Sequence, residues 1–158
     1  MLDDLLERLL SEAADPATRH VGLGMLLARA HNTSRGAMNR ALRPLGIDVR
    51  GYTMLLTLRT YGPSSQRRLI DMTGIDKSTM VRLIDELEHA GLVRRERTPQ
   101  DRRAYSVTPT PEGERVLAEA REIAADVGER IFGRFRPDER DQLAALLRRL
   151  VEPPAPAG

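Results

Sequence analysis

Apolar residues recur at helical spacing along nearly the whole of this 158-residue chain. Leu2, Leu5, Leu6, Leu9 and Leu10 open it with a stripe that Asp15 and Pro16 interrupt. A helical stretch from about Thr18 to Leu45 follows, with Gly46 as its stop. Asp48 is placed to cap a helix from about Val49 to Tyr61, which Gly62 and Pro63 close. Ser64 or Ser65 caps a short helix that reaches Thr73 and Gly74. On the next helix, starting near Asp76, Met80, Leu83, Ile84 and Leu87 fall at i, i+3, i+4 and i+7. They form one buried stripe, leaving Lys77, Ser78, Val81, Arg82 and Asp85 facing outward. Gly91, able to take the left-handed conformation, ends this helix.

The period then changes. Leu92 to Arg97 reads LVRRER and Ala104 to Val107 reads AYSV, two strand-like stretches separated by the turn residues Thr98, Pro99, Gln100 and Asp101. Beyond this hairpin, Thr110 and Pro111 suit the start of a helix from about Glu112 to Phe135, striped by Val116, Leu117, Ala120, Ile123, Ala124, Val127 and Ile131. Pro137 and Asp138 begin a last helix with Leu143, Leu146, Leu147, Leu150 and Val151 on one face. The expected fold is mainly α with a small β-hairpin wing: a helix-turn-helix, then a wing, flanked by long amphipathic helices. The expected divisions are an N-terminal helical extension over 1–16, a dimerisation helix over 17–47 and a winged helix-turn-helix lobe over 48–108. C-terminal dimerisation helices over 109–151 and a flexible tail over 152–158 complete the chain. The flanking apolar faces are buried most economically against each other and a second copy, which makes a helical dimer platform.

Composition narrows the classes. Aromatics are 3% and there is no Trp, so the core is aliphatic. No cysteine is present, which excludes disulfides and thiolate metal sites. His20, His31 and His89 have no H-x-x-x-H or H-E-x-x-H spacing, so no metal or other cofactor is expected. No phosphate-binding glycine loop, nucleophile elbow or matched carboxylate pair points to an enzyme. With no basic leader and no apolar run near membrane-spanning length, a cytoplasmic protein without a membrane partner is expected.

Net charge is +2, yet residues 19–68 carry nine arginines against Asp48 alone, while residues 1–18 carry one arginine against five acids. An arginine-rich segment beside a basic hairpin steers a protein towards a polyanion. Arg94, Arg95, Arg97, Arg102 and Arg103 stand in the hairpin against only Glu96 and Asp101, a local excess of three positive charges suited to phosphates or a narrow minor groove. Lys77, Ser78, Val81 and Arg82 offer the groups that meet phosphates, base edges and thymine methyls in a major groove. Arg67 and Arg68 occupy the first turn of the helix capped at Ser64 or Ser65, where the macrodipole disfavours cations. A phosphate held there by backbone N–H groups, the serine hydroxyls, Gln66 and one arginine would resolve that conflict. The alternatives are two solvated arginines, an ordinary amphipathic surface helix, and a winged-helix module that binds another protein without a specific DNA operator.

The stretch DKSTMVRLIDELEHAGLVRRERTPQDRRAYSVTPTPEG, residues 76–113, resembles the recognition helix, D-x-R wing and following helix entry of the multiple antibiotic resistance regulator (MarR) family of winged helix-turn-helix transcription factors. The resemblance runs from about residue 20 to residue 151. It implies an obligate homodimer, dimerised by its first and last helices, binding double-stranded DNA at a palindromic operator. Ser65 and Gln66 then match the phosphate-contacting helix start, Ser78, Thr79 and Arg82 match recognition-helix positions, and Arg103 matches the wing-tip arginine, oriented by Asp101. With Arg67, Arg68, Lys77, Val81 and Arg102, these make up the expected DNA-contacting set. Val81 stands where the family often has Thr or Ser, Arg68 replaces a frequent Glu, Glu86 replaces a frequent basic residue, and Pro109 interrupts the usual Leu-Thr-Pro. The family usually couples DNA binding to a small-molecule effector. A wall for an anionic aromatic one is offered by His31, Arg35 and Met38, with Met54 or Leu58 opposite.

Overall fold

The structure, a computed structural model, describes residues 1–11, 15–97 and 105–152. Helix α1 (Leu2–Leu10) lies against α2 (Pro16–Leu42). The Asp15 carboxylate caps α2, accepting from the Ala17 and Thr18 N–H groups at 3.0 and 3.1 Å. α2 stops at Leu42, three residues before the expected end, and the chain continues as a 3-10 turn over Arg43–Leu45. Pro44 is the cause: it has no N–H to donate into the helical ladder, and its ring crowds the preceding turn. Gly46, at φ 71°, then reverses the chain.

Asp48 caps α3 (Val49–Tyr61), accepting from Arg50 and Gly51 N–H at 2.9 and 3.0 Å. A two-residue strand, β1 (Ser64–Ser65), precedes α4 (Gln66–Thr73) and was not expected from the sequence. α5 (Lys77–His89) ends in two hydrogen bonds, Gly91 N–H to Glu88 C=O at 3.0 Å and Leu92 N–H to Leu87 C=O at 2.9 Å. This pairing is the Schellman closure, and it brings Leu92 down beside Leu87 in the core. Strands β2 (Val93–Arg97) and β3 (Tyr105–Pro109) pair antiparallel with Arg95 opposite Val107, and β1 lies on the other edge of β3 in the order β1-β3-β2.

α6 (Pro111–Phe132) starts at Thr110 and ends at Gly133, earlier than Phe135, and α7 (Pro137–Val151) follows. The core joins α3, α4, α5, the sheet and the first half of α6 through Met54, Leu55, Leu58, Leu69, Met80, Ile84, Val107, Leu117 and Ala120. α7 buries none of its residues and packs extensively on no other described element. Leu146, Leu147, Leu150 and Val151 are exposed, as are Val21, Leu23, Leu26 and Leu27 on α2 and Leu2 and Leu5 on α1. The fold is thus mostly helical with a small antiparallel wing sheet. Among the described residues no helix is long and apolar enough to cross a membrane.

Candidate nucleic-acid interface

α4 and α5 meet at Gly74, whose φ of 67° lets the chain turn between them within three residues. The expected stripe of α5 is buried, with Met80 and Ile84 fully covered. On the opposite face Lys77, Ser78, Arg82 and Asp85 are exposed, while Thr79 and Val81 are half-buried. The cap of α5 engages two of these positions. Asp76 accepts the Ser78 hydroxyl proton at 2.6 Å and the Thr79 N–H at 3.0 Å. The Ser78 hydrogen bond first, and the Thr79 N–H second, hold the Asp76 carboxyl well below the usual aspartate range. The Ser78 hydroxyl proton is thereby engaged, and Lys77 and Arg82 are the exposed cations of this face, with Val81 half-buried between them.

At the start of α4, the Ser65 hydroxyl oxygen accepts from the Arg68 N–H at 3.3 Å, so Ser65 is the cap and Arg68 the third helical residue. Arg67 and Arg68 are exposed, Gln66 is half-buried, and no acid stands in the first turn. These four residues share one helix terminus, on the lobe that carries α5.

The wing departs from the simple charge count. Arg94 Nε donates to Glu96 at 2.6 Å, and the Thr108 hydroxyl donates to the other oxygen of that carboxylate at 3.1 Å. Arg95 reaches back to α5 and pairs with both Asp85 and Glu88. Arg97 lies over the Tyr105 ring, 5.9 Å from its centroid. Two of the three stem arginines are thus ion-paired within the protein, and Asp85, which faces outward as expected, is one of their partners. Asp101, Arg102 and Arg103 lie outside the described residues.

The expected effector wall does not converge on one cavity. Met54 and Leu58 are fully buried in the core, Met38 packs at its edge, and His31 and Arg35 are exposed further along α2. Helical spacing gives these α2 residues a shared face, but only its C-terminal end rests on the lobe. Two open concavities lie elsewhere. One, of about 480 Å³, is lined by Asn39, Arg43, Ile47, Asp48, Leu83 and Glu86, and the other, of about 320 Å³, by Ala37, Arg40, Ala41, Val127, Arg130 and Ile131. No group of residues with metal-binding chemistry occurs among the described residues.

Sequence reasoning placed Thr110 at the start of α6 but missed the partners that tie it to the end of α5. Thr110 Oγ1 donates to the Gly91 carbonyl at 2.6 Å and accepts from the Gly113 N–H at 3.0 Å, and Thr110 N–H donates to the Leu92 carbonyl at 3.0 Å. The end of α5 and the start of α6 therefore share one threonine.

A family model described as MarR matches residues 50–105, from the start of α3 to the beginning of β3. The solved structure of CouR from Rhodococcus jostii RHA1, bound to p-coumaroyl-CoA, is 32% identical, covering 85% of this chain and 95% of that one with a TM-score of 0.75. The chain belongs to the MarR family. It also resembles the transcriptional regulator HosA of Escherichia coli O111:H-, 36% identical over 86 residues, or 54% of this chain; the match spans only 64% of that relative's length. Its fold is that of a mutant E. coli MarR in complex with operator DNA, at a TM-score of 0.80 over 88% of this chain and all of that one, with 22% identity. In this MarR-family protein the matched segment contains α3, α4, α5 and the wing stem, the elements that assemble the basic face.

Proposed function

We propose that this regulator is a homodimer that binds a palindromic operator and represses nearby genes. In this reading α5 enters the major groove with Lys77, Val81 and Arg82, Ser78 and Thr79 lie at its start, and the beginning of α4 sets Ser65, Gln66, Arg67 and Arg68 against phosphates. The wing tip, with Asp101, Arg102 and Arg103, reaches the flanking minor groove. The observation that carries the proposal is the division of α5 itself: one face wholly buried, and the other offering a cation, an apolar methyl pair and a guanidinium to solvent. The exposed leucines of α1, α2 and α7 supply the self-complementary surface that a two-fold dimer needs.

In vitro selection from a random duplex pool, followed by mobility shift, tests this directly. The expected product is an inverted repeat with half-site centres about one helical turn, 10–10.5 bp, apart. Retention of all sequences alike, at a weak and strongly salt-dependent affinity, would instead favour a protein-interaction module, a reading that the paired stem arginines support.

Release by a small anionic effector belongs to the same proposal. The support is the relative solved with p-coumaroyl-CoA bound and the exposed Arg35, one turn before Met38 on the same face of α2. Titrating the protein–duplex complex with aromatic carboxylates, for the wild type and Arg35→Ala, tests it, because identical responses would remove Arg35 from effector recognition.

A further inference from the structure

Arg95 is the outermost residue of the described wing stem that is tied to α5. Val93, at the base of β2, is buried against the core, whereas Glu96 and Arg97 beyond it face solvent. Arg95 itself is held twice. Its backbone N–H donates to Glu88 Oε1 at 3.0 Å, and its guanidinium spans from the second oxygen of Glu88 to Asp85. Asp85 and Glu88 stand three residues apart on α5, so their carboxylates are neighbours on one face and a planar fork can bridge them. The side chain is only 28% exposed, which places the pair among the better shielded of the described ion pairs. In the sheet, Arg95 lies opposite Val107, which also pairs with Ser64 of β1. The clamp therefore joins the rung shared by all three strands to the last turns of the recognition helix.

We propose that Arg95 is a positioning residue for DNA recognition: by bridging Asp85 and Glu88 it sets the angle of the wing to α5, so that helix and wing tip meet their grooves together. The inference rests on the DNA-binding reading above. It assigns Arg95 no phosphate of its own, and it gives Asp85 and Glu88, two acids on a DNA-facing element, a positive role in binding. Without the bridge, among the described residues the stem meets α5 chiefly through its buried base, and its angle to the helix is set by the β2–β3 ladder alone.

The sign of one substitution separates this from simple electrostatics. Asp85→Asn removes a negative charge from the surface that approaches DNA, so charge alone makes binding tighter. The clamp makes it weaker, on the order of tenfold for a strongly coupled pair. The probe is a duplex enriched by the wild-type chain from a random pool, with a scrambled duplex of equal length as control. Asp85→Asn, Glu88→Gln, Arg95→Met and Arg95→Lys are compared, with the Asp85→Asn/Arg95→Met double variant closing a cycle.

The expected result is weaker binding by each single variant except Arg95→Lys, which retains part of the affinity. The double variant is no worse than Arg95→Met alone. Hydroxyl-radical protection is lost over the flanking minor grooves while the central major-groove protection persists, at a temperature where melting curves show every variant folded. Tighter or unchanged binding by Asp85→Asn, or a footprint that fades uniformly in step with lost thermal stability, overturns the proposal. Failure of the wild-type chain to enrich any sequence removes the DNA-binding reading itself, a separate result. In that case faster amide exchange in β2 and β3 of Arg95→Met would show the clamp to be structural only.

Discussion

Gly113 sits so close beneath Leu92 that a Cβ at this position would lie 2.0 Å from the Leu92 carbonyl oxygen. The obstructing atom is backbone, and the Thr110 N–H already donates to it, so it cannot move aside without breaking the joint between α5 and α6. Gly113→Ala is therefore expected to destabilise the fold by on the order of 3 kcal/mol. Urea denaturation measures this, and Gly128→Ala, where an added Cβ meets nothing within 4 Å, is the control with little or no loss.

Arginines that look equivalent in the charge count are expected to differ in the salt dependence of binding. Arg94 is paired with Glu96, so Arg94→Ala should leave the slope of log affinity against log salt nearly unchanged. Arg103→Ala, at the proposed wing tip, should lower it by about one phosphate equivalent. Equal slopes for the two variants would remove the tip from the mechanism.

The low carboxyl pKa of Asp76 has a definite sign. Because the folded value lies below the ordinary 3.8, Asp76 stabilises the fold fully above that pH, and its contribution is lost as pH falls through the folded value. Asp76→Asn keeps an acceptor at the cap but cannot titrate. Thermal melts followed by circular dichroism should fall less steeply below about pH 4 for this variant than for the wild type. Superimposable pH profiles would show that the Ser78 and Thr79 hydrogen bonds do not favour the ionised cap.

Exposed apolar positions on α7 give the dimer its test. Leu146 and Leu150 are one turn apart and both exposed, so Leu146→Glu with Leu150→Glu places two carboxylates on the same face without disturbing the core. Sedimentation is expected to report monomers, and affinity for a two-half-site duplex should fall at least tenfold while single half-site binding changes little. Unchanged sedimentation would move the dimer contact elsewhere.

Much of this structure was legible in the chain. Asp48, Gly62, Gly74 and Gly91 mark boundaries because each carries a local requirement, a cap oxygen or a positive φ, that acts without the rest of the fold. The early end of α2 was also written locally, in Pro44, though the apolar spacing through Leu45 obscured it. Other features depend on contacts between distant residues. β1 is two residues long and exists only because β3 offers it an edge. The partners of Arg95 lie seven and ten residues away on another element, so charge counting assigned to phosphates or a minor groove a cation that the fold ties to its own acids. The face shared by His31, Arg35 and Met38 was correctly periodic, but periodicity does not say how far along a 27-residue helix the lobe extends.

That α7 finds no cover among the described residues of its own chain bears on how long the molecule survives as well as on how it assembles. A fifteen-residue helix in water is marginal by itself. In the proposed dimer, the event that covers its leucines also withdraws this end of the chain from proteases, which attack segments that unravel. Copies without a partner would be cleared first, so turnover would track assembly, and the cell's pool of regulator would be trimmed towards the form able to hold DNA.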